Sequence, residues 1–121
     1  MIDHVGYEVS DLARSAAFYD AVFHPLGGRR IVDSPGAIAY GIHEARFWIV
    51  ARGRHSGPGF GHVAIAASGR PAVHAAYEAG LAHGGTDDGP PGPRHAYGPR
   101  YFAAYLLDPD GRRVEVVTGA H

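Results

Sequence analysis

The strongest constraint on this chain is that its second half repeats its first. With His62 laid over His4, Val63 falls on Val5, Ile65 on Tyr7, Ser68 on Ser10 and Tyr77 on Tyr19. Gly84-Gly85 then comes within one residue of Gly27-Gly28. An internal duplication of this kind would let residues far apart in the chain meet. Each half reads as a strand, a helix and further strands. Residues 2–9 alternate as a strand, and Asp11 is placed to cap a helix over 12–24. On that helix Leu12, Ala16, Tyr19 and Phe23 form an apolar stripe, and Gly27 and Gly28 end it. Strands follow at 29–33, 37–42 and 45–51. Residues 53–60 are a linker by composition. The second half offers a strand at 61–67, a helix near 71–83 and strands near 100–107 and 112–118. Between them, residues 84–100 read as a long loop rich in Gly and Pro, of the kind that often forms a rim or lid.

At 121 residues this is one domain, with a first unit over about 1–52, the linker at 53–60 and a second unit over about 61–119. The formal net charge of -1 gives no reason to expect nucleic acid or a membrane surface as a partner. The absence of cysteine excludes disulfides and thiolate ligands, and fits a cytoplasmic protein. No apolar run reaches membrane-spanning length. The first residues enter a strand pattern at once, so no signal peptide is expected.

The repeat places chemistry at matching points. His4 and His62 open the two halves, and Glu115 lies in the last strand. Two imidazoles and one carboxylate are a donor set for a divalent transition metal. Side chains alternate along strands, so His4 shares a face with Gly6 and Glu8, and His62 with Ala64 and Ala66. Val5, Tyr7, Val9, Val63 and Ile65 face the other way, toward the helices. Asp108-Pro109-Asp110-Gly111 predicts a three-residue hairpin loop with Gly111 in the left-handed position. Asp108 then pairs with Arg112, and Tyr105 lies opposite Glu115 on one face of the sheet.

The duplicated strand-helix-strand-strand-strand unit, the two leading histidines and the Asp108-Pro109-Asp110-Gly111-x-x-x-Glu115 ending resemble the vicinal oxygen chelate superfamily. It includes glyoxalase I, extradiol dioxygenases, fosfomycin-resistance transferases and metal-free bleomycin-binding proteins. The resemblance implies an α+β fold of two βαβββ units, whose curved, mostly antiparallel sheet surrounds a ligand cup. It also implies a homodimer, with a site inside one chain or shared between two. The implied metal ligands are His4, His62 and Glu115, holding Fe, Mn, Zn or Ni. Trp48 stands where four-ligand members carry a second carboxylate, so three protein ligands remain. Glu8 stands where glyoxalase I proteins carry an arginine that helps hold glutathione, which argues against lactoylglutathione lyase activity.

Two functions follow as expectations. One is a small metal-dependent enzyme of the glyoxalase or dioxygenase type. Its small-molecule substrate would chelate the ion through neighbouring oxygens, and the ion would act as a Lewis acid or present dioxygen to a catecholate. Tyr105, set in a stretch resembling the dioxygenase signature, and Glu8 are the candidates for proton transfer. A regular strand puts Glu8 ~13 Å from His4, toward the rim. Trp48, Tyr101, His95 and Arg100 are candidate pocket residues. The alternative is a metal-free binding or resistance protein of the bleomycin-binding type, holding an aromatic or cationic compound with Trp48, Tyr101, Tyr105 and Glu8.

Overall fold

The computed structural model describes all residues from Met1 to His121. The elements run β1 (Val5–Val9), α1 (Leu12–Phe23), a short 3-10 turn (His24–Leu26), β2 (Arg29–Ser34), β3 (Ala37–Gly41) and β4 (Phe47–Ala51). The second unit supplies β5 (His62–Ala66), α2 (Arg70–Ala82), β6 (Thr86–Pro93), β7 (Phe102–Leu107) and β8 (Arg113–Thr118). Each unit builds its own four-stranded sheet, ordered β1-β4-β3-β2 and β5-β8-β7-β6. The two sheets have the same plan. β1 lies parallel to β4 and β5 parallel to β8, while the other pairs are antiparallel. The expected α+β architecture of two βαβββ units is thus present.

The helices form where capping and the apolar stripe agree. Asp11 Oδ1 accepts the Arg14 N–H at 3.0 Å, which fixes the start of α1. Gly27, with φ +81°, ends the 3-10 turn that follows. Phe18, Tyr19 and Val22 are fully buried, and burying each such side chain contributes roughly 2 kcal/mol. Gly80 on α2 lets the two helices approach: a Cβ there would stand 2.7 Å from Leu106 Cδ1 and 3.1 Å from Val22 Cγ2. One hydrophobic core therefore draws on both units, from Val9, Ile49 and Tyr40 to Leu106, Val114 and Val116. No helix is long and apolar enough to cross a membrane.

Two expectations need correction. Residues 84–100 are not one loop, because Thr86–Pro93 form strand β6. The sequence Thr-Asp-Asp-Gly-Pro-Pro-Gly-Pro reads as a breaker, but β6 is an edge strand, where prolines leave no ladder partner unmet. Its register against β7 shifts on both sides of Gly89, which absorbs the misfit. Val5, expected under the helices, is 37% exposed, because β1 is itself a sheet edge. Tyr7 and Val9 do pack inward.

The turn before β8 has the predicted form. Asp108 N–H donates to Arg112 O at 2.8 Å, Gly111 has φ +85°, and Tyr105 pairs with Glu115. The same turn fastens the units together. Buried Asp108 accepts the Tyr19 hydroxyl at 2.6 Å, and Asp110 accepts Ser10 N–H at 3.0 Å and Arg14 Nη2 at 2.9 Å.

Candidate functional site

The faces opposite the helices carry the polar chemistry. In the parallel pair β5/β8, His62 lies beside Arg113, Ala64 beside Glu115 and Ala66 beside Val117. Tyr105 and Ala103 of β7 continue this face across the sheet. Glu115 is 2% exposed. Its Oε1 stands 3.1 Å from His62 Nε2, and its Oε2 accepts a short hydrogen bond from the Tyr101 hydroxyl. A buried carboxylate needs such partners. Tyr101 and Tyr105 pack with Ala103 and Val117 in a small apolar cluster. A hollow of about 570 Å³ adjoins it, lined by Ala64, Ala66, Tyr101, Val117 and His121.

In the first unit, Gly6 pairs with Trp48 as Ala64 pairs with Glu115. Trp48 thus holds the position that Glu115 holds in the second unit, and contributes no donor atom. His4 is exposed, just ahead of β1. Its Nδ1 lies 2.8 Å from Asp3 Oδ1, and its ring meets Trp48 edge-on with centroids 6.4 Å apart. The imidazole lowers the Asp3 pKa through that hydrogen bond. His4, His62 and Glu115 do not form one cluster inside the chain. His62 and Glu115 meet; His4 belongs to the face of the other unit, beside a hollow of about 300 Å³ at the β1/β5 seam.

The remaining candidates sort by position. Glu8 accepts two hydrogen bonds from Arg54, at 2.5 and 2.7 Å, and that guanidinium holds its carboxyl below the usual range. Glu8 is therefore ionised at neutral pH, and both its oxygens are engaged by Arg54. Tyr105 is almost buried beside the pair, its ring edge-on to His62 with centroids 6.5 Å apart. Burial, then the Glu115 charge, raises its pKa. The hydrogen bond to Glu115, then burial, raises that of Tyr101. Both phenols are neutral at pH 7, so they serve as donors. His95 sits exposed in the turn between β6 and β7. Arg100 is also exposed, and its guanidinium reaches toward the carbonyl of His121 at 3.4 Å. Neither joins the His62–Glu115 pair.

Arg94, legible in the sequence as a rim arginine that could meet an anionic substrate, shares this face with Arg113 and Asp88, whose pairing the sequence did not show. Arg113 lies over the Tyr105 ring at 4.1 Å, held by Asp88 at 2.8 Å. Arg94 lies over the same ring at 5.5 Å. Arg113 was legible from its alternation with Glu115. The Asp88–Arg113 pair was obscured by reading β6 as a loop.

A bound ion would use the donors present. Glu115 offers Oε1 toward His62 while Oε2 stays on Tyr101, the arrangement in which an outer hydroxyl orients a ligand carboxylate. His62 and Glu115, two of the three residues expected as ligands, are thus adjacent within one chain. Tyr101→Phe is expected to weaken Ni uptake by roughly tenfold or more without altering the fold, as measured by competition with a chelator.

The sequence profile of the Glyoxalase/Bleomycin resistance protein/Dioxygenase superfamily matches residues 1–116, and the chain belongs to that superfamily. Among solved structures, it is similar to a glyoxalase/bleomycin resistance protein from Albidiferax ferrireducens, with 32% identity, a TM-score of 0.84 and coverage of 95% of each chain. It also resembles a glyoxalase I mutant from Zea mays, with 25% identity and a TM-score of 0.70, over 99% of this chain and 45% of that one. Fosfomycin resistance protein FosX from Mesorhizobium loti shares the fold, with 21% identity, a TM-score of 0.71 and coverage of 98% and 92%. No curated protein matches the sequence.

Proposed function

We propose that the protein is a metal-dependent enzyme acting on a small molecule with neighbouring oxygens, and that its site is completed by a second copy of the chain. The observation that carries this reading is the His62–Glu115 pair at 3.1 Å on the cup face, with His4 on the matching face of the other unit. A two-fold dimer that sets the first unit of one copy against the second unit of the other brings the three donors together twice. Exposed apolar groups near β1 support such a contact: Ile2 is 76% exposed and Phe60 fully so.

His62, Glu115 and His4 of the second copy would hold a divalent ion such as Fe, Mn, Zn or Ni. When bound, the ion supplies a Lewis acid that polarises the substrate oxygens. The chain's own residues do the rest. Tyr101 fixes the Glu115 carboxylate. Tyr105, neutral and aimed at the same face, donates a hydrogen bond to a substrate oxygen. Asp88 pins Arg113 and so fixes the Tyr105 ring. Trp48 beside His4 forms a wall from the first unit. The chain's lack of cysteine suits work in the reducing cytoplasm.

A metal-free binding protein is the competing reading, since Glu115 already has a hydrogen bond from Tyr101 and the His62 ring within 3.1 Å without an ion. Metal content after chelation and reloading separates the two. One ion per chain and a raised melting temperature with Ni, Mn, Fe or Zn support the enzyme. No uptake and no thermal shift support the binder.

A further inference from the structure

The cup face of the second unit carries one cation that its own carboxylates leave unmatched. Arg94 follows β6, and its N–H donates to the Tyr101 carbonyl at 2.8 Å, which sets it on the face of Tyr101, Ala103 and Tyr105. Its guanidinium folds back along the strand. Nη2 donates to the Pro90 carbonyl at 2.7 Å, and Cζ lies 5.5 Å from the Tyr105 ring centre. The path runs beside the glycines of β6: a Cβ on Gly89 would stand 3.4 Å from Arg94 Nη2 and one on Gly92 3.6 Å from Nη1, ordinary contact distances, so the guanidinium lies against the strand. The nearby acids are committed elsewhere. Asp88 pairs with Arg113. Asp87 accepts from the Tyr77 hydroxyl and from Gly89 N–H. Glu115 is taken by His62 and Tyr101. A half-buried guanidinium held in place by a carbonyl and a ring, with donors to spare, is suited to a planar oxyanion. The surface beside it is apolar and aromatic.

We infer that Arg94 is the specificity residue of the cup, and that the substrate is an organic anion whose carboxylate meets Arg94 while its apolar body lies along Tyr105 and Tyr101. This inference rests on reading the face as the substrate site, but its test does not need the ion. The probes are benzoate and its uncharged counterpart benzamide, titrated by calorimetry into the chelator-treated full chain. Wild type is expected to prefer benzoate by about tenfold or more. Arg94→Gln should bring that preference within about threefold, and Arg94→Lys should keep part of it. A benzoate preference that survives in Arg94→Gln overturns the inference, as does a wild type that does not discriminate or does not bind benzoate at tens of millimolar. Circular dichroism establishes that the variants fold, and Ni uptake is measured in parallel. An Arg94-dependent preference without Ni uptake in wild type retains the anion site and refutes the metal reading. Ni uptake with an Arg94-independent preference does the reverse.

Discussion

Replacing His62 with alanine should abolish metal uptake while the protein stays folded. The imidazole is partly exposed at the start of β5, with a side-chain exposure of 43%, so little packing is lost. What is lost is one of the two donors that already stand together. Removing a first-coordination donor should cost more than the roughly hundredfold that losing an outer partner costs at most. Glu115→Gln should do the same by a different route. The amide oxygen can still accept from Tyr101, but it no longer supplies an anionic donor. Each variant is measured by metal content after reloading and by circular dichroism. Uptake at the wild-type level in His62→Ala would remove that residue from the site.

Asp108→Ala should produce the largest loss of stability. The carboxylate is 3% exposed and accepts three hydrogen bonds, from the Tyr19 hydroxyl at 2.6 Å and from the N–H groups of Asp110 and Arg112 at 2.9 Å each. Alanine leaves buried donors unpaired, at about 1–3 kcal/mol apiece. Partial rehydration brings the total to ~3 kcal/mol, a fall in melting temperature of roughly 10 °C. Asp108→Asn keeps one acceptor oxygen for the N–H groups and offers an amide to the phenol, so it should cost less than about 1 kcal/mol. The pH dependence separates the two further. Burial raises the Asp108 pKa above its ordinary 3.8. The folded state therefore binds this proton more tightly than the unfolded chain. Its contribution is complete below the unfolded value and is lost as pH rises through the raised folded value. Asp108→Asn should gain on wild type across that acidic window in denaturant titrations. A constant difference would show that the group does not titrate there.

Much of this was written in local pattern. The repeat around His4 and His62 fixed the two-unit plan, and Gly111 after Pro109 fixed the hairpin register that sets Tyr105 opposite Glu115. Alternation on β5 and β8 put His62 and Glu115 on one face. What stayed hidden depended on tertiary context. Pro90, Pro91 and Pro93 argue against a strand unless that strand is an edge with bulges, and only the assembled sheet shows that β6 is one. Arg94 was legible as a rim arginine able to meet an anion, not as a guanidinium held by the Pro90 carbonyl over the Tyr105 ring. The separation of His4 from His62 also lay beyond pattern, because alternation assigns a face to each residue without saying how the faces of the two units stand to one another.

Complementation between two inactive variants tests the shared site most directly. His4→Ala and His62→Ala, each purified alone, should take up no ion. Unfolded together and refolded at equal concentration, they should form mixed dimers in which one site has lost both histidines and the other has kept both. With random pairing, about one ion for every four chains should return. Recovery at that level would place His4 and His62 on different copies at one ion, whereas no recovery from mixed dimers that demonstrably form would contradict the shared site.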